Sequence, residues 1–502
     1  MKQVHCATMD GFDAKVVDVE VAFVRALPSF SIVGLAQTSI QESKERIKSA
    51  LSAIDFKFPP QKITVNLSPS DLKKEGSHFD LSIALLIVLQ KSKISFDGFF
   101  VFGELGLDGT LKDTNSIFAI ILSLVNDGLL KKAIIPKASV EKVSKIPGIE
   151  IYTANNLQDA IDIFEAPDKA MKIISNEALD FEFLEHNDIK YYFTEKFELD
   201  FLEIKGQNRA KRASLISASG NHNILYEGSP GCGKSMSAKR LQYILPPSSL
   251  KEILQKAKLD ALEGIEPDFN PKKTFRAPHN SASRASIFGG GSKNASIGES
   301  ALAHNGILFF DEFPHFQKST LESLREPLED YKVLISRVHT KIEYQTKFLF
   351  VAAMNPCPCG NLFSNNKECR CTDLELSRYK NRLSSPLLDR IDIYVQMDEI
   401  KIDDKATISS KEMFEKVKIA FLNQLKRGQS ELNGKLSDKD IKRYCLLDDE
   451  CETILNSATQ KFDLSQRAIN KALKIARTIA DIQTCRQINK KHLLEALSFR
   501  MR

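Results

Sequence analysis

The segment NILYEGSPGCGKSMSAKRL, residues 223–241, restricts what this chain can fold into more than any other stretch. Residues 223–226 read as a short strand. Gly228, Ser229, Pro230, Gly231, Cys232, Gly233, Lys234 and Ser235 then fit G-x-x-x-x-G-K-S, and a helix follows. In such a loop the glycines let backbone N–H groups wrap phosphates, the lysine reaches the β- and γ-phosphates, and the hydroxyl binds Mg²⁺. The bland alternative is a glycine-rich turn that fits by chance, and the strand-loop-helix context speaks against it. The segment predicts an α/β core that binds a nucleoside triphosphate.

Two further strand ends belong to the same chemistry. GILFFDEF places Asp311 and Glu312 at the end of an apolar run, about 75 residues after the loop. At that position an aspartate holds the Mg²⁺ shell, and the next acid orients and activates the attacking water. Alone, the pair would read as solvated acids at a strand end. KFLFVAAMN ends in Asn355, whose amide could position that water or sense the γ-phosphate; its plainer role is a turn residue before Pro356.

These three strand ends, in this order, resemble the AAA+ ATPases. FRAPHNSASRASIFGGG, GESALAHNGILFFDEFPHF, LREPLED, AAMNPCPCG, RLSSPLLDRIDI and ARTIADI narrow the resemblance to the magnesium-chelatase-like branch, of the ComM/YifB type. LPSFSIVGL, ESKERIKSAL, VNLSPSDLKKEGSHFDLSIAL and GELGLDG extend it over nearly the whole chain. It implies ATP and Mg²⁺ as ligands, with Arg390 of LLDRID as the finger offered to a neighbour's ATP. Arg467 of LSQRA is then the sensor that reaches the γ-phosphate from the lid. Both tasks need the fixed, always-charged fork of arginine. Arg325 and Arg382 are rivals for the interface role, and the plain alternative for each arginine is a surface salt bridge.

The resemblance orders the chain as an N-terminal Lon-protease-like α+β domain (S16, ribosomal S5 domain 2-like) over 1–165 and a linker over 166–205. The AAA+ P-loop α/β core follows over 206–395, and a C-terminal helical lid over 396–502. The sequence itself agrees with that order. VVDVEVAF (16–23) and KITVNL (62–67) alternate as strands do, and 39–54 has helical spacing. FDLSIALLIVLQ reads as a buried helix, FFVFGELGL as a strand running into a glycine turn, and 131–136 as another strand. Residues 166–205 lose periodicity. Helices are expected at 411–426, after Ser465 as an N-cap, and at 490–498.

In this branch two insertions face the ring pore; here they fall at 274–293 and 331–347. The first carries Arg284 and Lys293 beside a Gly-Gly-Gly string. The second, YKVLISRVHTKIEYQTK, alternates as a hairpin and carries Arg337 and Lys341. Cations on such loops suit phosphate backbones, a contact that is blind to sequence and sensitive to salt. From composition alone they read as solvated loop charge. The resemblance implies a DNA partner: a hexameric helicase driving branch migration in recombination and natural transformation.

The 70 basic against 65 acidic residues leave a charge of only +5, so any DNA surface must be local. The longest apolar run, 81–89, is too short to cross a bilayer, which argues against a membrane partner. No signal peptide is visible and the nine cysteines are sparse, which together predict a reducing, cytoplasmic setting. Cys357, Cys359, Cys369 and Cys371 form C-x-C-x₉-C-x-C just after the third strand. Four thiolates can close a zinc site; the alternative is four free thiols.

A Lon-type peptidase needs a serine and a lysine. In the corresponding strings, KEGSH and TNSIF, His78 falls at the nucleophile and Phe118 at its base. Ser77, one step away, does not replace the missing amine. No peptidase activity is expected. Three classes therefore compete: a DNA motor, an ATP-dependent protease disfavoured by the lost dyad, and a protein-remodelling or chelatase-type motor subunit.

Overall fold

The structure is a computed structural model that describes residues 2–166, 170–175, 179–290, 296–336, 341–364, 367–401 and 403–500. The chain forms two compact units. One comprises Met1–Asp180 with Ile253–Phe269, the other Phe181–Glu252 with Asn270–Arg502.

The first unit is built on an eight-stranded mixed sheet. Its spatial order is Lys172–Ile174, Glu150–Ala154, Lys132–Pro136, Phe99–Val101, Gln3–Asp10, Asp13–Val24, Lys62–Ser68 and Ser29–Val33. Gln3–Asp10 and Asp13–Val24 pair antiparallel, while Phe99–Val101, Lys132–Pro136 and Glu150–Ala154 run parallel to one another. The alternation of Lys62–Ser68 explains its place, since Ile63, Val65 and Leu67 are fully buried on one face. The helix Thr38–Ala53 buries Ile40, Ile47, Ala50 and Leu51 at helical spacing. Asp80–Val88 is buried almost all round, as its apolar run requires. Its Asp80 is held by Arg46 at 2.6 Å. The segment Ile253–Phe269, which follows the phosphate loop in sequence, packs into this unit: Phe269 meets Phe118 edge-on at 5.5 Å, and Lys258 lies 3.9 Å over the Phe12 ring.

In the second unit five strands run parallel, in the order Phe275–Arg276, Ile307–Phe310, Leu349–Met354, Ile224–Gly228 and Ile393–Met397. The three inner strands are buried on both faces, which is why they read as continuous apolar runs. The segment 181–205 packs with this unit. It contains the hairpin Glu182–His186 and Ile189–Phe193, which adds to Ser248–Ser249. Within 331–347 the expected strand pairing is present, Lys332–Ser336 antiparallel to Lys341–Gln345.

The C-terminal helices Ser410–Lys426, Gln466–Ile482 and Lys490–Ser498 share one core with the sheet and with the helix Asn208–Gly220. Ser409 closes a capping box with Glu412, and Ser465 caps its helix through the N–H of Ala468. Gly220 allows the close approach of Gln466–Ile482, because a Cβ there would lie 2.5 Å from Thr478 Oγ1. A polar joint lies within this packing. The buried Asp481 carboxylate accepts from Arg427, from Arg477 at 3.1 Å and from Asn433 at 2.8 Å. Among the described residues no helix is long and apolar enough to cross a membrane.

Candidate functional site

Parallel strands bring their C-terminal ends to one edge, where ligands bind in open α/β sheets. Here that edge gathers the phosphate loop after Ile224–Gly228, Asp311 and Glu312 after Ile307–Phe310, and Asn355 after Leu349–Met354. The loop needs its glycines. A Cβ on Gly228 would lie 2.7 Å from Cys232 Sγ, and Gly231 and Gly233 have φ of 83° and 97°. The helix Lys234–Leu241 starts directly on the lysine, so its first free N–H groups open onto the loop.

Lys234 is buried, and its Nζ donates to the carbonyls of Gly228 at 2.6 Å and Ser229 at 2.9 Å, and to Asn355 Oδ1 at 3.1 Å. Burial lowers its pKa. Its hydrogen bonds go to uncharged oxygens and the Cys232 sulfur, and among the described residues it makes no direct ion pair with a carboxylate, a setting that favours an incoming anion. Ser235 Oγ donates to Asp311 Oδ2 at 2.7 Å. A hydroxyl and a carboxylate in contact form the oxygen-only donor set that suits Mg²⁺. Glu312 has a left-handed backbone, with φ of 51°, and its Oε2 accepts from Asn280 Nδ2 at 2.8 Å. A role for Asn280 was not expected from the sequence; it lies in the string FRAPHNSASRASIFGGG, and the fold brings its amide to the acid. Tyr379, equally unmarked, donates its hydroxyl to the Asn355 carbonyl at 3.1 Å.

The four cysteines come together beside this edge. The Cys357, Cys359 and Cys369 sulfurs lie 3.4 to 3.7 Å apart, and with Cys371 all four fall within 4.8 Å. Four sulfurs about 2.3 Å from a central zinc would be roughly 3.8 Å from one another. The cluster could thus hold a metal ion. Backbone N–H groups of Asn361 and Arg370 lower the Cys359 thiol, toward the thiolate that a metal needs, while burial raises Cys357, and burial and the neighbouring sulfurs raise Cys371. The cluster's loop touches the phosphate loop: a Cβ on Gly360 would lie 2.6 Å from Pro230 Cδ.

Arg390 and Arg467 stand apart from that edge. Among the described residues neither hydrogen-bonds to the phosphate loop, Asp311, Glu312 or Asn355. Both meet the Glu329 carboxylate instead, Arg467 at 2.6 Å, with Arg390 on the other oxygen. Arg325 pairs with Glu322 at 3.3 Å, and Arg382 is exposed. Arg284 donates to Ser323 Oγ at 2.7 Å and lines a groove of about 850 Å³ with Arg325, Glu329 and Arg390. Gly289, in the same insertion, is explained by packing, because a Cβ would lie 2.4 Å from Ile335 of the hairpin. Lys293 and Arg337 lie outside the described residues, and Lys341 is described as backbone only, opening the second hairpin strand.

In the first unit His78 is buried. Its Nε2 lies 2.8 Å from the Ala7 carbonyl and its Nδ1 3.3 Å from Ser116 Oγ. Burial lowers its pKa to about 4. Ser77 donates to Glu104, and Phe118 is fully buried.

Comparison with known proteins agrees along the whole length. Residues 200–405 match the family described as magnesium chelatase, subunit ChlI; residues 19–139 match subunit ChlI of Mg-chelatase, and 407–500 match the ChlI C-terminal family. The chain is 35% identical over 504 residues to competence protein ComM of Haemophilus influenzae, covering 98% of this chain and 95% of that one. It is 35% identical over 508 residues to the uncharacterized protein YifB of Escherichia coli, covering 99% and 96%. To YifB of Salmonella typhimurium it is 34% identical over 511 residues, covering 99% and 96%. With the phosphate-loop sheet and the helical C-terminal region, these matches show that the chain belongs to the ComM/YifB-type, magnesium-chelatase-like family of AAA+ ATPase-related proteins.

Proposed function

We propose that this chain is an ATP-driven, ring-forming motor that acts on DNA in the cytoplasm, a helicase promoting branch migration during homologous recombination and natural transformation. The observation that carries the motor is the meeting of Lys234, Ser235, Asp311, Glu312 and Asn355 at one sheet edge. The DNA part rests on the relationship to a competence protein and on the cations of the two insertions. Family membership implies ATP and Mg²⁺.

In this reading residues 228–235 cradle the phosphates. Lys234 exchanges its carbonyl contacts for phosphate oxygens, and Ser235 and Asp311 hold Mg²⁺, which supplies charge neutralisation when bound. Glu312 orients the attacking water and accepts its proton as the water oxygen bonds to the γ-phosphorus and the ADP oxygen leaves. Asn280 holds that carboxylate in place, and Asn355 lines the γ-phosphate side.

Arg390 completes the site from a neighbouring subunit. Arg467, which shares Glu329 with it, is offered from the same face. A hexameric ring follows as the working assembly, with Arg284, Lys293, Arg337 and Lys341 holding DNA through its phosphates. Cys357, Cys359, Cys369 and Cys371 hold a structural Zn²⁺ that braces the loop beside Pro230. The domain at 1–165 is a Lon-type fold that has lost its peptidase dyad and serves as a structural or partner-binding part. The lid is 396–502.

The test is ATP hydrolysis with and without DNA over a series of salt concentrations. The reading expects DNA to raise the rate, with half-saturation moving to higher DNA concentration as salt rises. A rate indifferent to DNA at every salt concentration would favour a protein-remodelling or chelatase-type motor subunit.

A further inference from the structure

Glu329 closes the short helix Arg325–Glu329, within the string LREPLED, and gives one carboxylate oxygen to each of two arginines. The three side chains come from separate parts of the chain. Arg390 lies just before the strand Ile393–Met397, and Arg467 lies in the first turn of the C-terminal helix Gln466–Ile482. Arg390 is largely buried, with its side chain 11% exposed, and its other terminal nitrogen donates to the Pro386 carbonyl. Arg467 is half exposed, and its guanidinium has no other hydrogen-bond partner among the described residues.

We propose that Glu329 is a positioning residue for ATP hydrolysis: it clamps Arg390 and Arg467 into a single two-armed cationic group presented to a nucleotide held by the neighbouring subunit. This rests on the reading of Arg390 as a residue that acts in trans. Two guanidinium groups repel each other, and a carboxylate between them is what lets both stay close. The trio keeps a net charge of +1, so it still attracts a phosphate. Arg390 spends one terminal nitrogen on Glu329 and the other on the Pro386 carbonyl, whereas Arg467 spends only one Nη2, so the half-exposed Arg467 keeps donors for a further anion. The clamp also adds to the polar contacts between the sheet and the C-terminal helices, such as Lys471 Nζ to the Ile391 carbonyl at 2.9 Å. Arg390 rides on the sheet, Arg467 rides on a lid helix, and Glu329 makes the position of one depend on the other.

Glu329→Gln tests this in the full-length assembled protein. The amide offers one oxygen where the carboxylate offers two, and its NH₂ faces the second guanidinium, so one arm is released. The expected result is a kcat lower by about tenfold or more, with the dissociation constant for a fluorescent ATP analogue changed less than about twofold. Glu329→Asp, which keeps both oxygens, should hydrolyse faster than Glu329→Gln. Mixed assemblies assign the face. Glu329→Gln subunits should regain activity when mixed with Glu312→Gln subunits, which supply intact arginines, and should regain none with Arg390→Ala subunits.

An unchanged kcat overturns the proposal. So does a higher one, which would make Glu329 a restraint on the arginines. Equal rates for the Gln and Asp variants, or recovery with Arg390→Ala, overturn it as well. If Arg390→Ala and Glu312→Gln fail to restore each other, the trans reading falls and the clamp with it. If that pair works and Glu329→Gln does not group with Arg390→Ala, the clamp alone falls.

Discussion

A carboxyl buried directly beneath the phosphate loop makes the stability of its unit depend on pH. Glu227 precedes Gly228, is 5% exposed, and accepts the Tyr394 hydroxyl. Burial lifts its pKa from an ordinary 4.5 to about 7, against the pull of Lys380 and Lys234. The unfolded carboxyl ionises near 4.5 while the folded one keeps its proton to about 7. Within that window folding takes up a proton, so stability falls as pH rises, and the loss is complete above the folded pKa. Between about pH 5 and pH 8 the loss is about 2.5 kcal/mol.

Glu227→Gln cannot ionise and escapes that slope. At any single pH the comparison is clouded, because the amide buries N–H groups that cost roughly 1–3 kcal/mol if unpaired. That cost is the same at every pH, so the change in the difference between the two proteins isolates the carboxyl. Urea unfolding followed by circular dichroism measures it. The transition to use is the one that coincides with loss of a fluorescent nucleotide, since two units need not unfold together. The stability of the variant relative to wild type should rise by about 2.5 kcal/mol across the range. Parallel pH profiles would refute the reasoning, because Glu227 would then ionise in the folded state as it does in the unfolded one.

Three further outcomes follow from the site. Lys234→Ala should lose nucleotide binding, whereas Glu312→Gln should bind ATP and turn it over roughly 10²–10⁴-fold more slowly; normal turnover in the latter would remove Glu312 from its role. Metal analysis should find about one zinc per chain in the wild type and less in Cys369→Ser. Equal zinc in both, or none in either, would leave only free thiols. No peptidase activity should be found with or without ATP, and casein cleavage that survives Ser77→Ala and inhibitors of contaminating proteases would contradict the reading of His78 and Phe118.

What could be read from the sequence is what local spacing encodes. The phosphate loop sits between a strand and a helix because glycine chemistry and apolar periodicity both demand it, and the DE string ends a strand for the same reason. The Ser235–Asp311 contact follows once the two strands run parallel on either side of Leu349–Met354. The partners of those groups are set by tertiary placement. Asn280 lies 2.8 Å from Glu312; the string FRAPHNSASRASIFGGG around it carries the family resemblance but does not say which group its amide meets. Glu329 lies in the string LREPLED, but that string does not show that two distant arginines share its carboxylate. The apolar face of Gln466–Ile482 was legible, but the buried Arg477 and Asp481 on that helix were not, because Arg427 and Asn433 come from elsewhere in the chain to satisfy them. Equally hidden was the departure of Ile253–Phe269 into the first unit, since an amphipathic helix does not say which core it covers.

The account turns on an ATP site that is complete only between subunits. Its most direct measurement is the hydrolysis rate of a mixture of Arg390→Ala and Glu312→Gln proteins, each inactive alone, with co-assembly verified on the same sample. Where the Arg390→Ala subunit supplies Glu312 and its neighbour supplies Arg390, the interface is whole, and the account predicts that activity appears on mixing and varies with the ratio of the two. A co-assembled mixture that stays as inactive as either parent would contradict it.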